Sequence, residues 1–142
     1  MSKTTEELMN EIRDEESIEK YLSENAGELR TLSLSEYLNS MLEKYHVKKA
    51  DLFRKAGLVG SNYGYELFQN DKKIPSRDIL LSICVAFPMS IDEAQYALRC
   101  GGHSVLYARD ERDAYILYGL KKKLGVDSVN ELLTENGLKG LA

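Results

Sequence analysis

The stretch Val47-Lys48-Lys49-Ala50-Asp51-Leu52-Phe53-Arg54-Lys55-Ala56-Gly57-Leu58 decides how this chain is read. A short helix runs up to Gly57, a residue free to take the positive φ that ends a helix, and Leu58 then plugs the turn with an apolar side chain. A second helix is predicted to follow from Ser61, with Tyr65 and Phe68 at i and i+3 facing inward. Beyond it the polar loop Asn70-Asp71-Lys72-Lys73-Ile74-Pro75-Ser76 leads into the amphipathic run Ile79-Leu80-Leu81-Ser82-Ile83-Cys84-Val85-Ala86. Helix, tight turn, helix, loop and covering helix follow one another within about 40 residues, the size of one supersecondary unit with its cover.

Outward from this stretch, the signals remain helical. Ser/Thr-x-x-Glu lets the first side chain accept from a free backbone N–H while the glutamate reaches back. It occurs at Thr4/Glu7, Ser33/Glu36, Ser90/Glu93 and Ser128/Glu131. Leu34, Leu38, Met41, Leu42 and Tyr45 form one stripe after Ser33, and Ile91, Ala94, Ala97 and Leu98 another after Ser90. Pro75 precedes the Ser76 cap without costing a helical N–H, and Pro88 ends the helix before it. The spacing predicts one or two acidic helices over 4–27. Further helices are predicted at about 34–45, 48–56, 61–69, 77–87, 91–100, 110–124 and 128–136. No stretch alternates as a strand does. The fold class is all-α, divided as an acidic N-terminal segment 1–32, a central domain 33–100 and a C-terminal helical extension 101–142.

The five helices from 34 to 98, with this loop, resemble the lambda repressor/Cro-like (XRE) family of helix-turn-helix regulators. The resemblance rests on Lys72-Lys73-Ile74-Pro75-Ser76, where the family has a polar loop ending in Lys/Arg-x-Pro-Ser, and on Ser90-Ile91-Asp92-Glu93, which opens its last helix. Leu106 to Asp113, followed by Ile116-Leu117, is similar to an extension seen in some bacterial members. Two departures stand out. Phe53 occupies a position where the family carries a small alanine at the close crossing of the two motif helices, with Ala56 where a larger apolar residue is usual. That is an exchange of bulk that cores tolerate if total volume is kept. The turn between Gly57 and Tyr65 is also two residues longer, a difference for Gly60 and Gly64 to absorb, although Gly64 inside a helix costs about 1 kcal/mol relative to alanine.

The resemblance implies a bacterial or phage regulator of transcription whose second motif helix enters the DNA major groove. The matching outward positions are Ser61, Asn62, Tyr63, Glu66 and Gln69. Asn62 and Gln69 have the chemistry to pair with adenine, and Glu66 can accept from cytosine N4. No arginine on this helix is offered to guanine, and Glu66 repels phosphates. Positive charge lies beside it: Lys48 and Lys49 before the first motif helix, Arg54 and Lys55 at its end, Lys72 and Lys73 in the loop, and Arg77 after it. Lys48, Lys49, Lys72, Lys73 and Arg77 are the expected phosphate contacts, which position such a domain while the helix reads bases. The opposing view is that these are ordinary solvated charges.

Bulk composition limits the alternatives. The net charge of −4 argues against indiscriminate nucleic-acid binding. It is unevenly spread. Residues 1–30 carry four basic and nine acidic side chains, whereas 31–76, with seven basic and five acidic, is the one segment of positive balance. No apolar run approaches the roughly 20 residues a membrane span needs, and the acidic start lacks the core of a secretion signal, so a cytoplasmic setting without membrane contact is expected. Cys84 and Cys100 sit within apolar helical patterns as expected buried free thiols, and His46 and His103 keep no metal-ligand spacing. No metal, cofactor or catalytic residue is expected, and no enzyme. The expected partners are double-stranded DNA and a second copy of the chain. The helices of about 106–136, with Tyr115 and Tyr118 in an apolar stripe, are candidates for dimerisation or for a protein partner. Arg109, Arg112 and Asp113 are open between an ion-pair network and a partner site, and the acidic N-terminal segment between packing on the domain and mimicking DNA charge. The rival function is a protein-interaction module that keeps the helix-turn-helix scaffold without binding DNA, since fold does not fix function.

Overall fold

A computed structural model describes residues 3–14, 18, 32–58 and 62–141. Two compact units divide the chain, Met1–Thr31 and Leu32–Ala142. Among the described residues every regular element is helical, and no helix is long and apolar enough to cross a membrane.

In the first unit, α1 spans Thr5–Asp14. The Glu7 N–H donates to the Thr4 hydroxyl at 3.1 Å, and the Thr4 N–H donates back to Glu7 Oε2 at 3.4 Å, the reciprocal cap that the sequence predicts. Met9 and Ile12 are exposed. The remainder of the acidic segment predicted over 4–27 lies outside the described residues, apart from Ile18.

The second unit holds α2 (Leu34–Tyr45), α3 (Lys49–Ala56), α4 (Tyr63–Gln69), α5 (Arg77–Ala86), α6 (Ile91–Cys100), α7 (Glu111–Lys121) and α8 (Val126–Glu135). Helix α5 is its centre. Leu80 to Phe87 are all buried, because α3, α6 and α8 each pack against it. Helix α2 spans α4 and α6, and α7 lies between α6 and α8. Residues 33–100 and 101–142 therefore share one compact unit. Leu106, Ile116, Leu120, Val129 and Leu133 join the same apolar core as Leu38, Leu52 and Leu67.

Local chemistry sets most boundaries. Ser33, Ser76 and Ser90 each accept from the backbone N–H three residues on, and Ser90 with Glu93 completes a reciprocal box. Ser128/Glu131 does not cap: α8 starts at Val126 with Gly125 before it, so Ser128 lies within the first turn. Val126 and Val129 are buried, and their anchorage starts the helix two residues before the predicted 128.

Glu93 also ties helices together. Its side chain accepts from Lys44 and from the Tyr45 hydroxyl, while its backbone carbonyl accepts from the Tyr37 hydroxyl at 3.2 Å. Burial raises the Glu93 pKa, but hydrogen bonds from Lys44, Tyr45 and the Ser90 N–H outweigh it and hold the carboxyl down at about 2. The thiols are free, Cys84 buried and Cys100 half-buried, and burial pushes Cys84 up to about 12.

Candidate nucleic-acid interface

Helix α3 ends at Gly57, which takes φ 79° while the Leu58 N–H donates back to the Phe53 carbonyl at 2.8 Å. Leu58 is half-buried and plugs the turn. The chain then returns as α4, whose inward face is Gly64, Leu67 and Phe68. This corrects the expectation for Tyr65, which is 40% exposed, its ring meeting the Phe53 ring edge-on at a centroid distance of 4.7 Å. The inward stripe runs i, i+3, i+4 from a glycine, and a residue without a side chain leaves no mark in an apolar pattern.

Gly64 is what lets Phe53 occupy the crossing. A Cβ at residue 64 would stand 2.9 Å from two carbons of the Phe53 ring, inside the limit that real side chains observe. Phe53 and Ala56 are both 3% exposed, and Phe53 further meets Phe68 at 5.6 Å. Bulk placed on α3 is thus taken from α4, a compensation different from the Phe53/Ala56 exchange. Gly60, the other residue expected to absorb the longer turn, lies outside the described residues, as does Ser61.

The C-terminal end of α4 is pinned from α2. The Asn39 amide donates at 2.8 Å to both the Phe68 carbonyl and the Ser35 carbonyl. The hydroxyls of Ser33 and Ser35 donate to Asp71, and this holds the Asp71 carboxyl below the usual carboxylate range. Asn39, Ser35 and Asp71 carry no recognisable motif, and partners 29 to 38 residues apart leave no local signal.

The outward face of α4 presents Asn62, Tyr65, Glu66 and Gln69, all exposed, with Tyr63 half-buried beside them. Asn62 precedes the helix without capping it. Glu66 is not bare: Lys73 approaches its carboxylate at 3.0 Å and lies 5.0 Å from the centre of the Tyr63 ring. Lys48 is exposed at the start of α3, and Lys49 lies 5.7 Å from the Phe68 ring centre. Lys72 is exposed in the loop, where its backbone N–H donates to Asn70 Oδ1 at 2.9 Å. Arg54 pairs with Asp51 at 2.5 Å.

Arg77 departs from the expected set. Its guanidinium donates to both Asp113 carboxylate oxygens, at 3.1 and 2.9 Å, and to the Ser104 and Val105 carbonyls. Four bonds turned inward leave it committed to the C-terminal extension, not to a phosphate. Arg112 mirrors it, donating to Asp78 and to the Lys139 and Gly140 carbonyls. The two Arg-Asp pairs, 77–78 and 112–113, exchange partners between α5 and α7. Arg112 and Asp113 therefore belong to an ion-pair network that buckles the extension onto the bundle.

Compared with protein-family models, curated proteins and solved structures, the chain matches none.

Proposed function

We propose that α2 to α6 form a five-helix, lambda-repressor-like helix-turn-helix domain, and that the chain is a Cro/repressor-type regulator that binds duplex DNA by sequence. The supporting observation is the outward face of α4. It carries Asn62, Tyr65, Glu66 and Gln69 and is seated on Phe53 through Gly64, with Lys73 against Glu66 and Tyr63, Lys49 near the Phe68 ring, and Lys48 and Lys72 exposed on the flanking segments. A rigid helix with amide side chains outward and lysines at its margin divides the work as groove readers do: lysines position, amides discriminate. The Lys73–Glu66 pair lessens the repulsion a bare glutamate would exert on phosphates. No step of this reading needs catalysis. Because symmetric half-sites give specificity that one domain lacks, the reading calls for two copies of the chain.

One observation favours the rival, a protein-binding module. The same face is aromatic and carries no arginine, with Tyr65 40% exposed.

Selection of duplexes from a random library by the full chain separates the two. The DNA reading expects an enriched motif that loses information at one or two positions in Asn62→Ala and Gln69→Ala. Absence of enrichment at low salt refutes it.

A further inference from the structure

Helix α7 has two faces. Asp113, Ile116, Gly119 and Leu120 are buried, and a Cβ at residue 119 would stand 2.6 Å from Val129 Cγ2, so α7 and α8 lie too close for α7 to turn over. On the opposite face Glu111, Tyr115 and Tyr118, with Lys122 just past the helix end and its Nζ 5.9 Å from the Tyr118 ring centre, line up at spacings of 4, 3 and 4, the rhythm of a helix-pairing seam. Tyr118 is 51% exposed, and Tyr115 and Ala114 with Leu132 of α8 form an apolar groove beside it, with Glu111 at its end. The apolar stripe expected to hold Tyr115 and Tyr118 thus divides: Ile116 and Leu120 are buried, Tyr115 is half-buried against the core, and Tyr118 is exposed.

The seam is acidic at its N-terminal end, basic at its C-terminal end and aromatic between. We infer that it pairs with the α7 of a second copy of this chain, antiparallel, about a two-fold axis passing between Tyr115 and Tyr118. Under that operation Glu111 of each copy faces Lys122 of the other and Tyr115 faces Tyr118. A two-fold contact requires this reciprocity. The opposed helix dipoles add to it. A parallel arrangement would set like charges together at both ends. One helix seam and a groove are small beside the roughly 1,200–2,000 Å² of a stable interface, so the dimer is a micromolar, reversible one that two DNA half-sites reinforce. This deepens the proposed function by naming the surface through which two copies act.

Sedimentation equilibrium of the full chain without DNA tests the pairing. Its failure would rule out this surface as the one that joins two copies, whereas the contact of α4 with DNA is read separately by the duplex selection. The wild type is expected to associate reversibly to a dimer. Glu111→Lys alone and Lys122→Glu alone each create two like-charge contacts and weaken association about tenfold or more. An equimolar mixture of the two variants restores opposite charge at both contacts, so heterodimers form with near wild-type affinity. Misfolded variants would not recombine, which separates lost pairing from lost structure. The inference is overturned by a wild type that stays monomeric to about 0.5 mM. It is equally overturned by single variants that dimerise unchanged, or by a mixture that associates no better than either variant alone.

Discussion

Replacing Gly64 by alanine tests how α4 is seated. In an open helical position the exchange stabilises by about 1 kcal/mol, because glycine gives up more backbone freedom on folding. Here the added methyl would lie 2.9, 2.9 and 3.0 Å from three carbons of the Phe53 ring. Ordinary carbon contacts begin near 3.5–4.0 Å, so ring or helix must shift by about half an ångström or more. The ring cannot swing aside cheaply: it is 3% exposed and wedged against Tyr65 and Phe68. Overpacking of this kind costs about 1–3 kcal/mol, and toward the upper end for a ring so confined, leaving a net loss of about 1–2 kcal/mol for Gly64→Ala. In a Phe53→Leu background the obstruction is gone, and the same exchange should be neutral or stabilising, which gives a coupling of about 1–3 kcal/mol. Urea unfolding of the four proteins in this cycle supplies every term. A Gly64→Ala protein more stable than the parent by 0.5–1 kcal/mol, or additive effects, would refute the close approach.

Other outcomes follow from the ion pairs. Asp113→Ala leaves the Arg77 charge without its counter-ion and the Tyr107 N–H without its acceptor and should cost about 3 kcal/mol, whereas Arg77→Met with Asp113→Leu removes the unpaired charge and should recover that part of the loss; thermal melts of both check this. The Glu93 carboxyl is depressed from its usual 4.5 to about 2, so it adds stability above pH 4.5 that is lost as pH falls through 2. Glu93→Gln should therefore flatten the acid limb of stability between those values, and a limb of unchanged slope in acid titrations would contradict the Lys44–Tyr45 anchorage. At the alkaline end, Tyr45 is raised from 10.0 to about 12, by burial first and then by Glu93, so its contribution holds below pH 10 and is lost as pH rises through 12. Absorbance titration of wild type against Tyr45→Phe isolates that step.

What could be read ahead of the structure was local. The caps at Ser33, Ser76 and Ser90 and the stop at Gly57 are decided within four residues, and each helix they bound lies within a residue or two of its predicted range. Gly64 misled because an inward position without a side chain leaves no apolar mark, so the pattern passed to Tyr65. Ser128 misled because a cap signal competes with burial, and Val126 decided the start of α8. Arg77 looked like one more cation beside the motif. Its partner Asp113 is 36 residues away, and only tertiary packing reveals that the charge is spent. Of the expected reading face, Asn62, Glu66 and Gln69 are exposed, while the lysine that neutralises Glu66 comes from the following loop.

A salt titration of binding measures whether the α4 face and its lysines grip duplex DNA. With the full chain and a fluorescent duplex, log K should fall linearly with log salt at a slope of about −3 per bound copy, about −0.9 for each of Lys48, Lys49 and Lys72, because Lys73 is paired with Glu66. Lys48→Ala with Lys49→Ala should flatten it by about 2 while Arg77→Met leaves it unchanged. No binding at about 50 mM salt, or a slope indifferent to Lys48 and Lys49, would contradict the account.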